Sequence, residues 1–201
     1  MTTSRRDVLK SGAALAAIAA SSLPLQAVAS DVLRFYKVAY DGRFREGSLF
    51  GARARLLGAD VHDIDGDITG LWYDHLYRRW KQSPDPVAGL TQYNSLLALQ
   101  MMASVDGLRV IYRAHHVPGR AGARHEAFGP TRALASLPAL SGSAEQWPAA
   151  AAEFVMRWRP EDRAIDRARS TILDADTRGC PAGALVSWIL APVSRSTRAY
   201  G

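Results

Sequence analysis

The residues with the clearest potential for chemistry lie close together in the first half of the chain, between positions 60 and 67. Carboxylates surround a single histidine there, the members being Asp60, His62, Asp63, Asp65 and Asp67. Such spacing is typical of calcium loops, but counting from Asp63 puts Ile68 at the sixth position, where an EF-hand needs glycine. We therefore interpret these aspartates as residues that follow a strand or cap a helix, with a looser metal or ligand role as the alternative.

Histidines form the second candidate group. His115 and His116 are adjacent, and His125 follows later in the chain. Neighbouring residues of an extended segment point to opposite faces, so His115 and His116 do not easily reach one metal ion. One of them, acting with His125 or an aspartate, could be a ligand or a general base. The alternative is that all three are exposed loop residues. His75, on a predicted helix, is interpreted as packing at the edge of the core.

Motifs for common nucleophiles and cofactors are missing from the sequence. It contains no Gly-x-Ser-x-Gly nucleophile elbow, no phosphate-binding Gly-x-x-x-x-Gly-Lys-Ser/Thr loop and no dinucleotide fingerprint. Cys180 is the only cysteine, which excludes an intramolecular disulfide and iron–sulfur ligation by this chain alone. The sequence therefore assigns neither a cofactor nor a metal ligand.

The elements that must position these residues can be predicted from periodicity. Residues 32–40, 59–64, 108–114 and 184–190 are predicted strands, and the last is apolar throughout, which is typical of a strand buried on both faces. A helical period predicts helices over residues 44–57, 68–82, 90–105, 147–158 and 161–173. Residues 115–143 are rich in Gly, Pro and Arg and are predicted to form a long surface loop with one short helix near 132–137.

This order of strands and helices predicts a three-layer α/β fold. We expect a largely parallel sheet of about four strands with helices on both faces, and a mixed α+β arrangement is the alternative. The sequence contains no internal repeat or linker after its first 29 residues, so residues 30–201 are predicted to form one globular domain.

In open α/β sheets, ligands bind outside the carboxyl ends of the strands. The residues that follow the predicted strands are Asp41, Arg43, Asp65, Asp67, His115, His116, Ser194 and Arg195. Asp41, Arg43 and Arg195 are candidates to bind a small polar or anionic ligand, since two arginines can clamp a carboxylate or phosphate. An Asp–His pair can move a proton, so His115, Asp65 and Asp67 are the candidate catalytic residues. Polar residues also end the strands of α/β folds without a site, which is the alternative.

The charge distribution bears on the class of partner. The formal net charge of +6 raises the question of a nucleic-acid partner, but the arginines are dispersed and do not alternate with aromatic residues. We therefore predict a mildly basic surface and no nucleic-acid partner. No segment reaches the roughly 20 strongly apolar residues of a membrane-spanning helix, so no stable span is predicted.

Residues 1–29 are organised like a signal peptide. A basic segment, SRRDVLK at residues 4–10, precedes an alanine-rich run, and Ala27 and Ala29 form a small-residue cleavage signal. The basic segment resembles the twin-arginine translocation (Tat) signal, Ser-Arg-Arg-x-Phe-Leu-Lys. Val8 replaces the phenylalanine, and the matching positions are Arg5, Arg6, Leu9 and Lys10. The alternative is an ordinary secretory signal with two adjacent arginines.

The resemblance implies export by the Tat translocase of a protein that has already folded in the cytoplasm, and therefore a periplasmic location. Tat cargo often carries a cofactor, folds rapidly or is exported together with a partner. Since no cofactor motif is present, the first hypothesis is an accessory or binding protein, such as a small subunit or escort of a larger Tat-exported redox enzyme. The alternative is a small periplasmic enzyme, a hydrolase or a metal-dependent enzyme, that uses the Asp/His/Arg strand ends.

Overall fold

The computed structural model describes residues 32–119, 122–135, 146–159, 168–172 and 183–192. The predicted signal peptide, Cys180 and the site candidates Ser194 and Arg195 lie outside the described residues. All described residues belong to one compact unit.

Seven strands of the described residues form one sheet, in the order β2-β1-β3-β7-β4-β5-β6. The strands are β1 Lys37–Tyr40, β2 Val61–Asp63, β3 Val87–Gln92, β4 Leu108–Gly119, β5 Gly122–Gly129, β6 Ala168–Ile172 and β7 Leu185–Pro192. Strand β1 is parallel to β2 and to β3, and the other neighbouring pairs are antiparallel. The sheet is therefore mixed and mostly antiparallel.

The helices lie between these strands in the chain. They are α1 Arg45–Leu56, a π-helix Leu71–Leu76 that runs directly into α2 Tyr77–Gln82, α3 Tyr93–Val105, α4 Thr131–Leu134 and α5 Trp147–Met156. The predicted helices over residues 44–57, 68–82 and 147–158 are confirmed in position, and the predicted short helix near 132–137 corresponds to α4. The predicted α/β class is confirmed at this level.

The prediction of a largely parallel sheet of about four strands is wrong, because three strands lack the usual sequence signals. Strand β3 continues without a turn into α3, so the predicted helix over residues 90–105 starts too early. The predicted strand over residues 108–114 is confirmed as the first part of β4. Strand β4 continues into the predicted loop and forms a hairpin with β5 there. The sequence does not predict strands in this segment, because Gly, Pro, Arg and His largely take the place of the β-branched residues that mark them. The predicted helix over 161–173 is wrong at Ala168–Ile172, which is β6.

Helices cover both faces of the sheet and produce two apolar clusters. One cluster joins α1, α4 and α5 to the sheet through residues such as Phe50, Leu134 and Val155. The other joins the π-helix, α2 and α3 to the opposite face, through residues such as Trp80 and Leu99. The predicted three layers, with helices on both faces, are therefore present.

Strand β7 contributes to both clusters in alternation. Leu185, Ile189 and Ala191 belong to the first cluster, and Val186, Trp188 and Leu190 belong to the second. This alternation follows from the period of two residues along a strand. The prediction that this apolar segment is a strand buried on both faces is confirmed.

Gly89, on β3, allows the indole of Trp188 to lie across the neighbouring strand. A Cβ atom at position 89 would lie 2.5 Å from the carbonyl oxygen of Ala39 and 2.7 Å from the Trp188 ring. Gly70, before the π-helix, has no such neighbours, its nearest one being an Asp74 carboxylate oxygen at 3.8 Å. The two glycines therefore form a matched pair for testing the packing around β7.

We expect Gly89→Ala to lower the free energy of unfolding by about 1–3 kcal/mol, since overpacking a tight core forces side chains and backbone apart. Gly70→Ala should be neutral or stabilising by up to about 1 kcal/mol, because its backbone is already helical. Urea denaturation of the purified variants measures both values. Equal effects of the two substitutions would contradict the packing described for Gly89 and Trp188.

Candidate functional site

Several of the predicted strand-end residues lie at one edge of the sheet. Strand β7 lies between β3 and β4 and is antiparallel to both, so β4 points in the same direction as β1, β2 and β3. The residues that end β1, β3 and β4 therefore share an edge, and Gln92 and His116 both pair with Leu185 of β7. Strand β7 runs in the opposite direction. It ends at Pro192, which pairs with Leu108 at the start of β4, so its carboxyl end lies away from the shared edge.

The candidates at this shared edge fall into two groups rather than one. Three strand spacings of about 4.8 Å separate β1 from β4, which places Asp41 and His116 about 14 Å apart. One small ligand cannot bridge that distance. The aspartate–arginine group near β1 and the histidine group on β4 must be considered separately.

Asp41 and Arg43 bind each other. Asp41 is fully buried, and its two carboxylate oxygens accept hydrogen bonds from Arg43 Nε at 2.9 Å and Arg43 Nη2 at 2.8 Å. Arg43 Nη2 also donates to Gln92 Oε1 at 2.9 Å. The hydrogen bonds to Asp41 raise the pKa of Arg43. Since this bidentate pair occupies the guanidinium face that would clamp an anion, the arrangement favours a structural role for both residues.

Asp63, which ends β2, and Asp67, which follows it, accept hydrogen bonds from nearby backbone amides. Asp63 Oδ1 accepts from the amide of Gly42, after β1, at 2.8 Å and from the amide of Asp65 at 3.0 Å. Asp67 Oδ1 accepts from the amide and the hydroxyl of Thr69, which lowers the pKa of Asp67. The bonds to the amides of Asp65 and Thr69, two residues further on, are those of Asx-type turns. Asp65 lies in the turn itself, with a positive φ of 43°.

The hairpin of β4 and β5 brings two of the three clustered histidines together. His116 and His125 are directly opposite each other in the register, and they are only 1% and 2% exposed. His115 points to the other face of the sheet, where its ring contacts those of Tyr93 and Phe128. The alternative of three exposed loop histidines is wrong for His116 and His125, because residues 115–129 are largely sheet.

His116 and His125 belong to a chain of polar groups inside the core, which we call the buried histidine–serine chain. The His116 Nδ1 and His125 Nδ1 atoms are 2.6 Å apart, and His116 Nε2 lies 2.8 Å from Ser187 Oγ. Ser187 Oγ lies 3.2 Å from the hydroxyl of Tyr112. The indole of Trp147 stacks on the His116 ring, with a centroid distance of 4.4 Å.

A histidine nitrogen at hydrogen-bond distance from a serine hydroxyl is the arrangement that activates a nucleophile. Here Ser187 is fully buried within the central strand, so its hydroxyl is not presented to a substrate. The chain therefore satisfies buried polar atoms, which would otherwise destabilise the core. Ser187 is not among the residues that the sequence predicts for a site. Its signal is a hydroxyl within an otherwise apolar strand, because a buried hydroxyl requires a partner.

Burial keeps both histidines neutral. Burial, followed by the proximity of His125, lowers the pKa of His116 well below its ordinary value of 6.5. Burial lowers the pKa of His125 to about 4. In a direct Nδ1–Nδ1 hydrogen bond one nitrogen donates and the other accepts, so the bond is lost if both rings carry a proton on Nδ1. The folded state therefore binds protons less readily than the unfolded chain.

We expect the free energy of unfolding to be constant above about pH 6.5 and to fall as the pH decreases towards 4. In this pH range the imidazoles of the unfolded chain become protonated, whereas those buried in the folded chain stay neutral. This difference lowers the free energy of unfolding by up to about 1.4 kcal/mol per pH unit for each histidine. Denaturant titrations between pH 8 and pH 4.5 measure the slope.

His125→Asn is the informative variant, because its amide can still bond to His116 although one titrating group is gone. Its free energy of unfolding at pH 8 measures the effect of the altered contacts alone. The change in that free energy from pH 8 to pH 5 measures the contribution of histidine protonation. We expect a smaller loss of stability over this range than in the natural protein. An unchanged pH dependence would show that the buried pair is not the source of acid sensitivity.

The outer face of α3 carries apolar residues in contact with solvent. Leu97, Met101 and Val105 recur every four residues and are 42%, 67% and 86% exposed. The opposite face of the same helix is buried through Leu96, Leu99 and Ala103. We call the three exposed residues the α3 stripe. On the same side of the sheet, the π-helix and α2 also expose two aromatic residues, Tyr73 and Tyr77.

Two further properties of the described residues limit the classes of site. Among them, no three histidine, cysteine, aspartate or glutamate side chains are assembled as a metal centre. None of the helices in the described part of the chain is both long enough and apolar enough to cross a membrane.

Comparison of the chain with protein-family models, with curated proteins and with solved structures finds no match. The functional argument therefore depends on the residues and geometry given above.

Proposed function

We propose that the chain is an exported periplasmic accessory protein that binds another exported protein through the α3 stripe. The observation that carries this proposal is the exposure of Leu97, Met101 and Val105 along one helix face. Single exposed apolar residues are common on monomeric proteins, but an aligned row of them is typical of an interaction surface.

Folding does not account for the α3 stripe. The helix already has a complete buried face, and the stripe lies on the opposite side of the helix. Burying apolar surface against a partner yields about 25 cal/mol for each Å² removed from water. Leucine, methionine and valine in this pattern match the helix-in-groove mode, in which residues spaced by three and four positions anchor the contact.

The periplasmic location and export by the Tat pathway belong to the same proposal. The support is the leader, in which the Arg5–Arg6 pair, Leu9 and Lys10 match the Tat pattern and Ala27 and Ala29 follow at the end of an alanine-rich segment. A partner carried through the membrane in the folded state would account for folded export of a chain without a recognised cofactor motif. The escort or small subunit of a larger Tat-exported redox enzyme fits this description.

Replacing both Arg5 and Arg6 with lysine should abolish export of the full chain, because the resemblance is to a signal in which the arginine pair is essential. Lys10→Arg, which keeps a positive charge outside the pair, should leave export intact. Cell fractionation with detection of the processed chain measures the result. Export of the double variant at the normal level would contradict the Tat route and favour an ordinary secretory signal.

Photo-crosslinking groups at positions 101 and 105 should capture one defined exported protein in the periplasm, and a group at position 55 on α1 should not. The purified partner should bind Met101→Glu at least tenfold more weakly, because the variant places a charge within the apolar contact. Gln100→Glu, an exposed position on the same helix, is the matched control. The proposal fails if both variants bind equally well, or if crosslinks join only two copies of this chain.

The alternative of a small enzyme at the carboxyl ends of the strands has less support. Asp41 and Arg43 bind each other, and His116 is enclosed in the core. The alternative stays a proposal. It would be favoured if crosslinking at positions 101 and 105 captured no partner protein.

A further inference from the structure

Two histidines distant in the sequence meet beside the edge strand of the sheet. His62 is the middle residue of β2, the outermost strand, and His75 lies in the π-helix. Their ring centroids are 5.0 Å apart, in an edge-to-face arrangement. Both residues are partly exposed, so solvent ions can reach them.

The ring nitrogens of this pair are available to a ligand. Neither His62 nor His75 forms a hydrogen bond with any other described residue. The buried pair provides the contrast, since His116 uses both of its ring nitrogens, one with His125 and one with Ser187. Among the described residues, the sheet-edge pair of His62 and His75 therefore has accessible ring nitrogens without hydrogen-bond partners, and the buried pair of His116 and His125 does not.

We propose that His62 and His75 bind one divalent transition-metal ion of the zinc class. Zinc binds imidazole nitrogens at about 2.1 Å in tetrahedral geometry, which places the centroids of two ligating rings about 5 Å apart. The observed centroid separation of 5.0 Å matches that arrangement.

Carboxylates near the pair suit a cation. Asp74 directly precedes His75, is exposed and accepts no hydrogen bond from other described residues. Both Asp74 and Asp63 act electrostatically on His62. Asp63 is already bonded to the amides of Gly42 and Asp65. No third side chain of the described residues is assembled with the two rings, so the two imidazoles are the protein ligands and water completes the coordination.

Lys37 is a neighbouring cation that acts electrostatically on His62. It is held by Asp60, with Nζ and Oδ2 2.6 Å apart, which offsets its positive charge near the site.

His75, the fifth residue of the π-helix, lies beside β2. Leu71 and Leu76, at the two ends of the π-helix, are almost completely buried. π-Helical turns are rare and frequently occur at functional sites. Since only two imidazoles are brought together, the expected affinity is below that of a four-ligand structural zinc site.

Calorimetric titration of the purified full chain with zinc chloride tests the proposal. We expect one ion per chain, with at least tenfold weaker binding in His62→Ala and in His75→Ala. His115→Ala removes a histidine from another strand and is the matched control. Each variant is checked for an unchanged unfolding midpoint in the absence of metal.

Cobalt provides a second readout, because tetrahedral Co²⁺ absorbs strongly in the visible range whereas aqueous Co²⁺ does not. The natural chain and His115→Ala should develop this absorption, and folded His62→Ala should not. Absence of zinc uptake by the natural chain would overturn the proposal, and so would uptake that His62→Ala and His75→Ala leave unchanged. Neither result affects the proposed contact through α3, since that contact uses another surface.

Discussion

The structure depends on the burial of β7 on both of its faces. This strand lies between the parallel strands β1–β3 and the antiparallel strands β4–β6, and it contributes alternate residues to both apolar clusters. A residue of this strand cannot reach water, so every polar atom on it needs a protein partner. The polar groups of the core are arranged around that requirement.

Two side chains of β7 show how the requirement is met. Trp188 Nε1 donates to Thr91 Oγ1 at 3.0 Å on one face, and Ser187 Oγ lies next to His116 Nε2 on the other. The first bond joins β7 to β3, and the second joins it to β4. Because each hydrogen bond needs a particular residue opposite β7, these contacts favour one register of the neighbouring strands over a shifted one.

The same principle separates structural from functional histidines. His116 and His125 are almost completely buried and lie against Trp147, so we expect them to act on stability and its dependence on pH. His62 and His75 are on the edge strand and the adjoining π-helix, where solvent reaches them. Similarly, α3 has apolar residues on both sides, but only those facing away from the sheet are free to bind another protein. Whether a residue is buried between the sheet and the helices or exposed to solvent, rather than its type, therefore distinguishes a structural role from a binding role.

The sequence by itself determined the α/β class, the central buried strand and the positions of α1, α2 and α5, because apolar periodicity reports which face of an element is buried. It also contains the segment SRRDVLK, whose resemblance to a twin-arginine signal depends on no tertiary structure. It did not reveal β3, β5 or β6. Strand β5 consists mainly of Gly, Ala, Arg, His and Glu and carries little local signal, whereas β3 and β6 are short and lie within predicted helices or the segments beside them. The pairings Asp41–Arg43, His116–Ser187 and His62–His75 differ in kind. The first is local in sequence, and the others join residues that only the packing of distant elements brings together. The tertiary structure alone therefore decided which histidines are enclosed and which remain open to a ligand, because burial depends on the layers above and below each strand.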